Sequence, residues 1–492
     1  MLGAKQRDFK THASVSIEDL VPANNFYRQV EAKLDLGFVR NLVKGCYALG
    51  LGRPSVDPVV FFKLQLIMFF EGFRSERQLM AQVHLNLAYR WYIGYDLEEA
   101  VPHHSTLTKI RNRFGLEVFQ RFFEQIVERC VEAGLVWGEE LHFDGTLVYA
   151  NADYDTQVPR FYHQAQQHLQ GMFKEADEDK RDLLNKYDGS RQLVKPNSHL
   201  KKADYLVSPV DEHATMVGNA RLGYHLQYVI DGGKARIILK CLATPATIQD
   251  NTPMLDLAWM TRFRWQLMLD RIVADRRFGT IENVVGVEQN GIHAFMPLHS
   301  EASRATGKKK TFPPNLFRYD PEQNVYLCPQ GETLPFWTND YHNQRVVYKA
   351  RDKVCHACPV LTQCTTGKSG RRINHSMFKE FLDRVLAYQQ TEAYQKAMRK
   401  RQVWVEPKFA EVKQWHQGRK FRLRGLLNVN IEALLKAAGQ NIKQLLKAKP
   451  HQNRPKPPAN AAMIRLFSPD TLNWSALSEP IACDRCQLCN VL

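Results

Sequence analysis

The chain of 492 residues is long enough for about three domains of about 150 residues each. Apolar residues make up 44% and charged residues 24%, the proportions of a globular protein, which excludes a disordered, collagenous or fibrous chain. The net charge of +16 is concentrated, since residues 395–457 hold 16 basic and 3 acidic side chains; such a run favours a polyanion such as nucleic acid, because neutralised phosphates release counterions.

The longest apolar stretch, PVVFFKLQLIMFF at 58–70, falls short of the roughly 20 residues of a membrane span. MLGAKQRDFK at the N-terminus lacks the apolar segment of a secretory signal, so a cytoplasmic protein without a membrane partner is expected. Residues 16–135 read as helices. Ser75 with Gln78 has the form of a capping box, opening a helix through Met80 and Val83. Ser105 is placed to cap a short helix, TLTKIRNRF, that carries Lys109, Arg111 and Arg113. A DNA-reading helix has this composition, and so does a solvated basic face.

At Glu140 the pattern changes. LHFDGTLVYANA alternates as short strands with a turn at Asp144-Gly145. A polar stretch from Gln164 to Leu184 reads as a helix, and GYHLQYVIDGGKARIILKCLA as two strands joined at Asp231-Gly232-Gly233. There follow a helix from Asn251, a buried strand RIVAD ending at Asp275, a helix over Thr280–Gln289 and a strand HAFMPL, the alternation of an α/β layered domain. Residues 298–372, rich in Lys, Pro, Gly and Cys, break this pattern as an insertion. Helical periodicity returns over Met377–Arg401, after Pro407 and over Ile431–Ala448. KPHQNRPKPP at 449–458 is a linker to a tail with little pattern.

Of the ten cysteines, Cys46, Cys130 and Cys241 sit singly in apolar runs and read as core residues. Cys328, Cys355, Cys358 and Cys364 supply four thiols around a CxxC, compatible with tetrahedral Zn²⁺ or with reduced structural thiols. The terminal CDRCQLC, with Cys483, Cys486 and Cys489, has no fourth ligand and reads as a disordered tail.

Three acids stand at element ends in this reading: Asp144, Asp275 and Glu406. Converging at one end of a sheet, they would repel one another unless cations neutralise them, and Mg²⁺ suits oxygen ligands and keeps waters for phosphate chemistry. Two such ions about 3.5–4 Å apart can activate a nucleophile and stabilise the leaving oxygen in phosphodiester displacement. Singly, each acid has a plainer role: Asp144 in a turn, Asp275 as a helix cap, Glu406 as a partner of a helix dipole.

GRPSVDPVVFFKLQLIMFFEGFRSERQL, LAYRWYIGYD and VPHHSTLTKIRNRFG together resemble the N-terminal domain of bacterial insertion-sequence transposases. FDGTLVYANA, VADRRFGTIEN and RKRQVWVEPKFAEVKQWHQGRKFRLRGL resemble, in order, the three catalytic blocks of DDE transposases, over roughly residues 15–448. The resemblance implies a metal-binding triad of Asp144, Asp275 and Glu406 that holds Mg²⁺ or Mn²⁺, two ions per site. Arg401 is similar to the arginine that precedes the catalytic glutamate, one residue out of the related spacing. Lys413, two turns beyond Glu406, would touch an end phosphate, and Arg419, Lys420, Arg422 and Arg424 would contact backbone phosphates.

The expected fold is α/β: a ribonuclease H-like mixed sheet with flanking helices, an all-helical N-terminal domain and a Cys-containing insertion. The expected domains are a helical DNA-binding domain (1–135), a catalytic domain (136–297 and 373–448), the insertion (298–372) and a linker and tail (449–492). The expected function is binding of the element's terminal inverted repeats, cleavage there and strand transfer into target DNA, by a homodimer in the synaptic complex of a bacterial, nucleoid-associated enzyme. The competing readings are a structure-selective nuclease on the same fold and a non-catalytic DNA-binding protein derived from a transposase.

Overall fold

Short helices, each fastened at its ends, build the N-terminal part: α1 (Ile17–Leu20), α2 (Phe26–Lys33), α3 (Val39–Val43), α4 (Pro58–Phe70), α5 (Glu76–Leu85), α6 (Leu87–Ile93) and α7 (His104–Glu132). The computed structural model describes residues 14–48, 55–164, 167, 206–217, 221–299, 311–367 and 369–448. The expected polar helix beyond residue 167, the linker and the tail cysteines lie outside the described residues. Met1–Lys447 form one compact unit, to which all the elements named here belong.

Asp57 caps α4 by accepting from Val59 N at 2.8 Å, and Pro58, which has no N–H to lose, occupies the first turn. α4 is apolar nearly all round, so it is buried on most sides, from Val60 to Phe69. Ser75 caps α5 through Gln78 N (3.1 Å), but Gln78 Oε1 reaches Arg74 N (3.0 Å) rather than Ser75 N, so half of the expected box forms. His103, not Ser105, caps α7, and a non-helical Gly115 (φ 66°, ψ 177°) breaks that helix where TLTKIRNRF ends.

The central sheet grows from β1 (Glu140–Tyr149). Asp144-Gly145 is not the expected turn: both residues lie inside this ten-residue strand, paired with Tyr228 and Gln227. A long antiparallel partner holds them extended, and a ladder of hydrogen bonds overrides the local turn preference of Asp-Gly. β2 (Val158–Pro159) and β3 (Leu206–Val207) form a small separate pair. β4 (Thr215–Val217), β5 (Arg221–Asp231) and β6 (Ile238–Pro245) follow, and both β4 and β6 pair with β5 antiparallel. The β5–β6 connection is longer than an Asp-Gly-Gly turn and spans residues 232–237. After α8 (Met254–Trp265) come β7 (Arg271–Val273), α9 (Ile281–Glu288) and β8 (His293–Phe295). β7 lies parallel to β1, and β8 parallel to β7. The six-stranded sheet thus runs β5-β1-β7-β8, with β4 and β6 both along the outer side of β5, so that antiparallel strands lie on one side of β1 and parallel strands on the other.

The insertion is a folded module. β9 (Arg318–Asp320), β10 (Val325–Leu327), β11 (Thr333–Asp340) and β12 (Arg345–Lys349) pair antiparallel in sequence. Two short helices, α10 (Asp352–His356) and α11 (Leu361–Cys364), precede β13 (Arg372–Ser376), which pairs with β12 and carries the module past residue 372. Phe317, Tyr326, Leu334, Tyr348, Ala350 and Ile373 form its own small core.

The chain then returns to the main core through α12 (Lys379–Tyr388), α13 (Glu392–Trp404), α14 (Glu406–Trp415) and α15 (Leu426–Lys447). The single expected helix over 377–401 is in fact two, parted before Thr391, which caps α13. α15 is buried from Val429 to Ile442 against α7 and β6. Two asparagines fasten it to the free edge of the sheet. Asn430 bonds Ala243 N (2.8 Å) and O (3.0 Å), and Asn441 bonds Ile238 N (2.9 Å) and O (2.8 Å). Edge-strand groups that would otherwise be unpaired are thereby satisfied.

Candidate active site

Three carboxylates from three elements meet around one guanidinium. Arg401 on α13 stands 3.1 Å from Asp144 on β1, 3.6 Å from Asp275 just past β7 and 3.8 Å from Glu406, the first residue of α14. Each position has a local cause. Asp144 is held by the β1–β5 ladder, and Asp250 and Gln227 pack beside Gly145, about 3.6 Å from where a side chain would begin. Asp275 is fixed by Arg277 N donating to its Oδ1 at 2.8 Å. Pro407 has no N–H with which to continue α13, so the chain bends at Val405 and starts α14 on Glu406. The neighbouring Lys400 fastens α13 to the start of β1 by donating to Glu140 at 2.6 Å.

Burial grades the three acids. Asp144 and Arg401 are buried, Asp275 is half-buried and Glu406 is exposed. Burial raises the Asp144 carboxyl above its ordinary range against the opposing pull of Arg401 and of the Gly145 N–H, and the Asp275 charge pushes it the same way. At Glu140 burial is outweighed by His142 and Lys400, which hold its carboxyl low. Lys413 on α14 donates to Thr146 Oγ1 on β1; burial lowers its pKa, Arg419 adds to this and Asp144 opposes it.

The expected DNA contacts divide. Arg419, Lys420 and Arg424 are exposed, and Arg424 Nε donates to Asn151 O at 2.8 Å. Arg422 is half-buried and lies 3.3 Å from Glu76 on α5. Lys109 and Arg113 are exposed on α7, with Arg113 over the Tyr47 ring at 5.1 Å. Arg111 corrects the expectation. It is 5% exposed and ion-paired to the same Glu76, which also accepts from Thr108 at 2.8 Å, so it cannot reach DNA. The sequence carried the signal, since Arg111 falls on the stripe Leu107, Ile110, Phe114, Val118 that α7 buries.

Residues that the sequence did not single out surround Asp144. Asp250, 7% exposed, touches His225 Nδ1 and lies 3.3 Å from Arg277. Gln227, next to Gly145, is buried with neither side-chain polar atom hydrogen-bonded.

Cys328, Cys355, Cys358 and Cys364 line one cavity of about 40 Å³ in the insertion. Backbone N–H groups of Gln330 and Arg371 donate to Cys328 Sγ (3.3 Å) and Cys355 Sγ (3.4 Å). Among the described residues no group of three or more His, Cys, Asp or Glu side chains is arranged to hold a metal ion as it stands, the four thiols and the three carboxylates alike. At the carboxylates, the cation that stands among the oxygens is Arg401. Oxygen donors gathered around a positive charge are the donor set of a hard divalent ion, and in that chemical sense the residues fit one. Among the described residues no helix is long and apolar enough to cross a membrane.

Residues 15–113 match the family described as Transposase domain (DUF772), and residues 327–446 match the family described as Transposase DDE domain. The second match holds Arg401, Glu406, Lys413 and the four cysteines of the insertion; Asp144 and Asp275 lie in neither interval. Comparison with curated proteins and with solved structures finds no match.

Proposed function

We propose that this chain, which belongs to the insertion-sequence DDE transposases, cleaves DNA at the terminal inverted repeats of its element and joins the resulting 3′-hydroxyl ends to target DNA. The observation that carries the reading is Arg401, around which Asp144, Asp275 and Glu406 are gathered from elements far apart in sequence. The three acids together are excess negative charge for one guanidinium. Asp144, Asp275 and Glu406 are the residues that would hold Mg²⁺ or Mn²⁺. When bound, the metal supplies charge neutralisation and activation of a water or 3′-hydroxyl.

The rest of the site binds and orients. Exposed Arg419, Lys420 and Arg424 hold backbone phosphates, a role that fixes register without reading sequence. Lys413, anchored on Thr146, sets a positive charge beside Asp144 where the scissile phosphate lies. The half-buried Arg422 serves Glu76 first. Lys109 and Arg113 extend the basic surface to the helical part, which acts as the DNA-binding domain. The run β5-β1-β7-β8, with β4 and β6 outside β5, supports a ribonuclease H-like catalytic domain, with the β9–β13 module inserted between β8 and α12. Two ends must be cut in one complex, so the working form is a homodimer acting on double-stranded DNA at the nucleoid.

The test is a cleavage and joining assay on DNA carrying the ends of the element, with Mg²⁺. Wild-type protein gives strand-transfer products, and Asp144→Asn binds the ends but cuts nothing. Cleavage without joining points instead to a nuclease. Cutting by Asp144→Asn at near the wild-type rate removes Asp144 from the chemistry.

A further inference from the structure

Asp275 sits on the short turn between β7 and α9, and one segment of the chain, between β6 and α8, holds that turn from behind. Within the turn, Arg277 N donates to Asp275 Oδ1 at 2.8 Å and Phe278 N to Asp275 O at 3.1 Å. The side chain of Arg277 then donates to Asp250 Oδ2 at 3.3 Å. Next to it, Asn283 Nδ2 on α9 donates both to Asn251 O (3.1 Å) and to Phe278 O (3.0 Å). Residues 250 and 251 therefore grip the Asp275 turn at two points. Asp250 is itself fixed: it is 7% exposed, its Oδ1 faces His225 Nδ1, and it packs beside Gly145 and Gln227. Successive strand residues face opposite sides of a sheet, so Gly145 marks the side of β1 away from the Asp144 side chain. A carboxylate there stands behind the three acids rather than among them, and Arg277 is its link to them.

As a stabilising contact this pair has little to offer. Burying a carboxylate costs desolvation, and a guanidinium that is 72% exposed returns little of it. What the pair supplies is direction. It fixes Arg277, whose N–H takes one oxygen of Asp275 and so sets the rotation of that carboxylate. The other oxygen, Oδ2, is left on the side of Arg401, 3.6 Å away, where Asp144 and Glu406 also gather. We propose that Asp250 is a positioning residue for the reaction: through Arg277 it holds the Asp275 turn so that Oδ2 stays turned toward the other two acids and free to ligate the metal. The proposal rests on the reading of Asp275 as a metal ligand. Ligating carboxylates are commonly held by outer hydrogen-bonding groups, and loss of such a group weakens metal binding by about 10–100-fold.

The full-length protein without DNA is titrated with Mn²⁺, the free ion is read by electron paramagnetic resonance, and the site is identified as the binding that Asp144→Asn removes. Arg277→Met is the decisive variant. Its side chain is exposed, so the fold survives the change, and taking a positive charge from beside the site would by electrostatics alone tighten Mn²⁺. The expected result is the opposite, a loss of about tenfold in affinity. Asp250→Asn gives a similar loss, and added to Arg277→Met it costs less than about twofold more, because both variants break the same link. In EDTA the amides of Arg277 and Phe278 exchange with deuterium faster in either variant than in wild type. Arg277→Met that binds Mn²⁺ as tightly as wild type or tighter, or unchanged exchange in the turn, overturns the proposal and leaves the transposase reading standing. A full tenfold cost of Asp250→Asn on top of Arg277→Met also overturns it, since the carboxylate then acts by its charge and not through Arg277. Wild type with no Mn²⁺ binding that Asp144→Asn removes overturns the metal assignment of the three acids, and this proposal with it.

Discussion

Arg401→Met removes the positive charge among the three acids and keeps most of the side-chain volume. In metal-free protein it leaves Asp144 buried beside Asp275 with no cation to face. Breaking a buried pair by deleting one partner costs about 3–5 kcal/mol. Here the full cost falls on Asp144 alone, since its side chain and that of Arg401 are 11% and 9% exposed, against 32% for Asp275 and 57% for Glu406. The two more exposed pairs are screened and contribute about 0–1 kcal/mol each. A loss of about 3–5 kcal/mol follows, little changed by the two exposed pairs and smaller in acid, where Asp144 takes a proton instead. The assay is urea unfolding with EDTA and again with Mn²⁺. If metal and guanidinium serve the same carboxylates, Mn²⁺ stabilises the variant by about 2.7 kcal/mol at a hundred times its dissociation constant for the variant, and stabilises wild type less at the same concentration. A variant as stable as wild type in EDTA, or equal stabilisation of the two by Mn²⁺, would refute the idea that Arg401 holds the place of the ion.

Other consequences follow from the same contacts. Burial holds the Asp144 carboxyl above its ordinary range, so its contribution to stability is present below the ordinary aspartate pKa and is lost as pH rises through the raised value. In EDTA the melting temperature of wild type therefore gains on that of Asp144→Asn as the pH is lowered from 7 toward 4; a difference that does not change with pH contradicts this. Glu76→Gln strands Arg111 and Arg422 together, at a cost of about 3 kcal/mol read from urea midpoints. Lys109→Ala and Arg113→Ala each reduce the salt dependence of DNA binding by about one unit of slope without altering stability, whereas Arg111→Ala destabilises the fold, as anisotropy titrations and unfolding curves will separate.

What was legible in the sequence is what local pattern decides. Ser75 caps α5 and Glu406 opens α14, as read, whereas Asp275, read as the last residue of a short buried strand, stands two residues past its end at Val273. Features that depend on distant partners were not legible. Asp-Gly reads as a turn until β5, some eighty residues on, pairs with it. Arg111 reads as a surface base until Glu76 appears opposite it, although its place on the buried stripe of α7 was in view. The insertion sheet was missed because its core needs only six buried residues, so its strands show little apolar alternation. Asp250 and Gln227 belong to no motif. They come beside Asp144 only because β5 and the segment before α8 are brought there by the sheet.

The central claim is that Asp144, Asp275 and Glu406 hold the catalytic metal. Crystals soaked in Mn²⁺ and measured for anomalous scattering address it directly. The account predicts Mn²⁺ among these three carboxylates with Arg401 moved off Asp144. Saturating Mn²⁺ with no anomalous peak there, and Arg401 still bonded to Asp144, would contradict it.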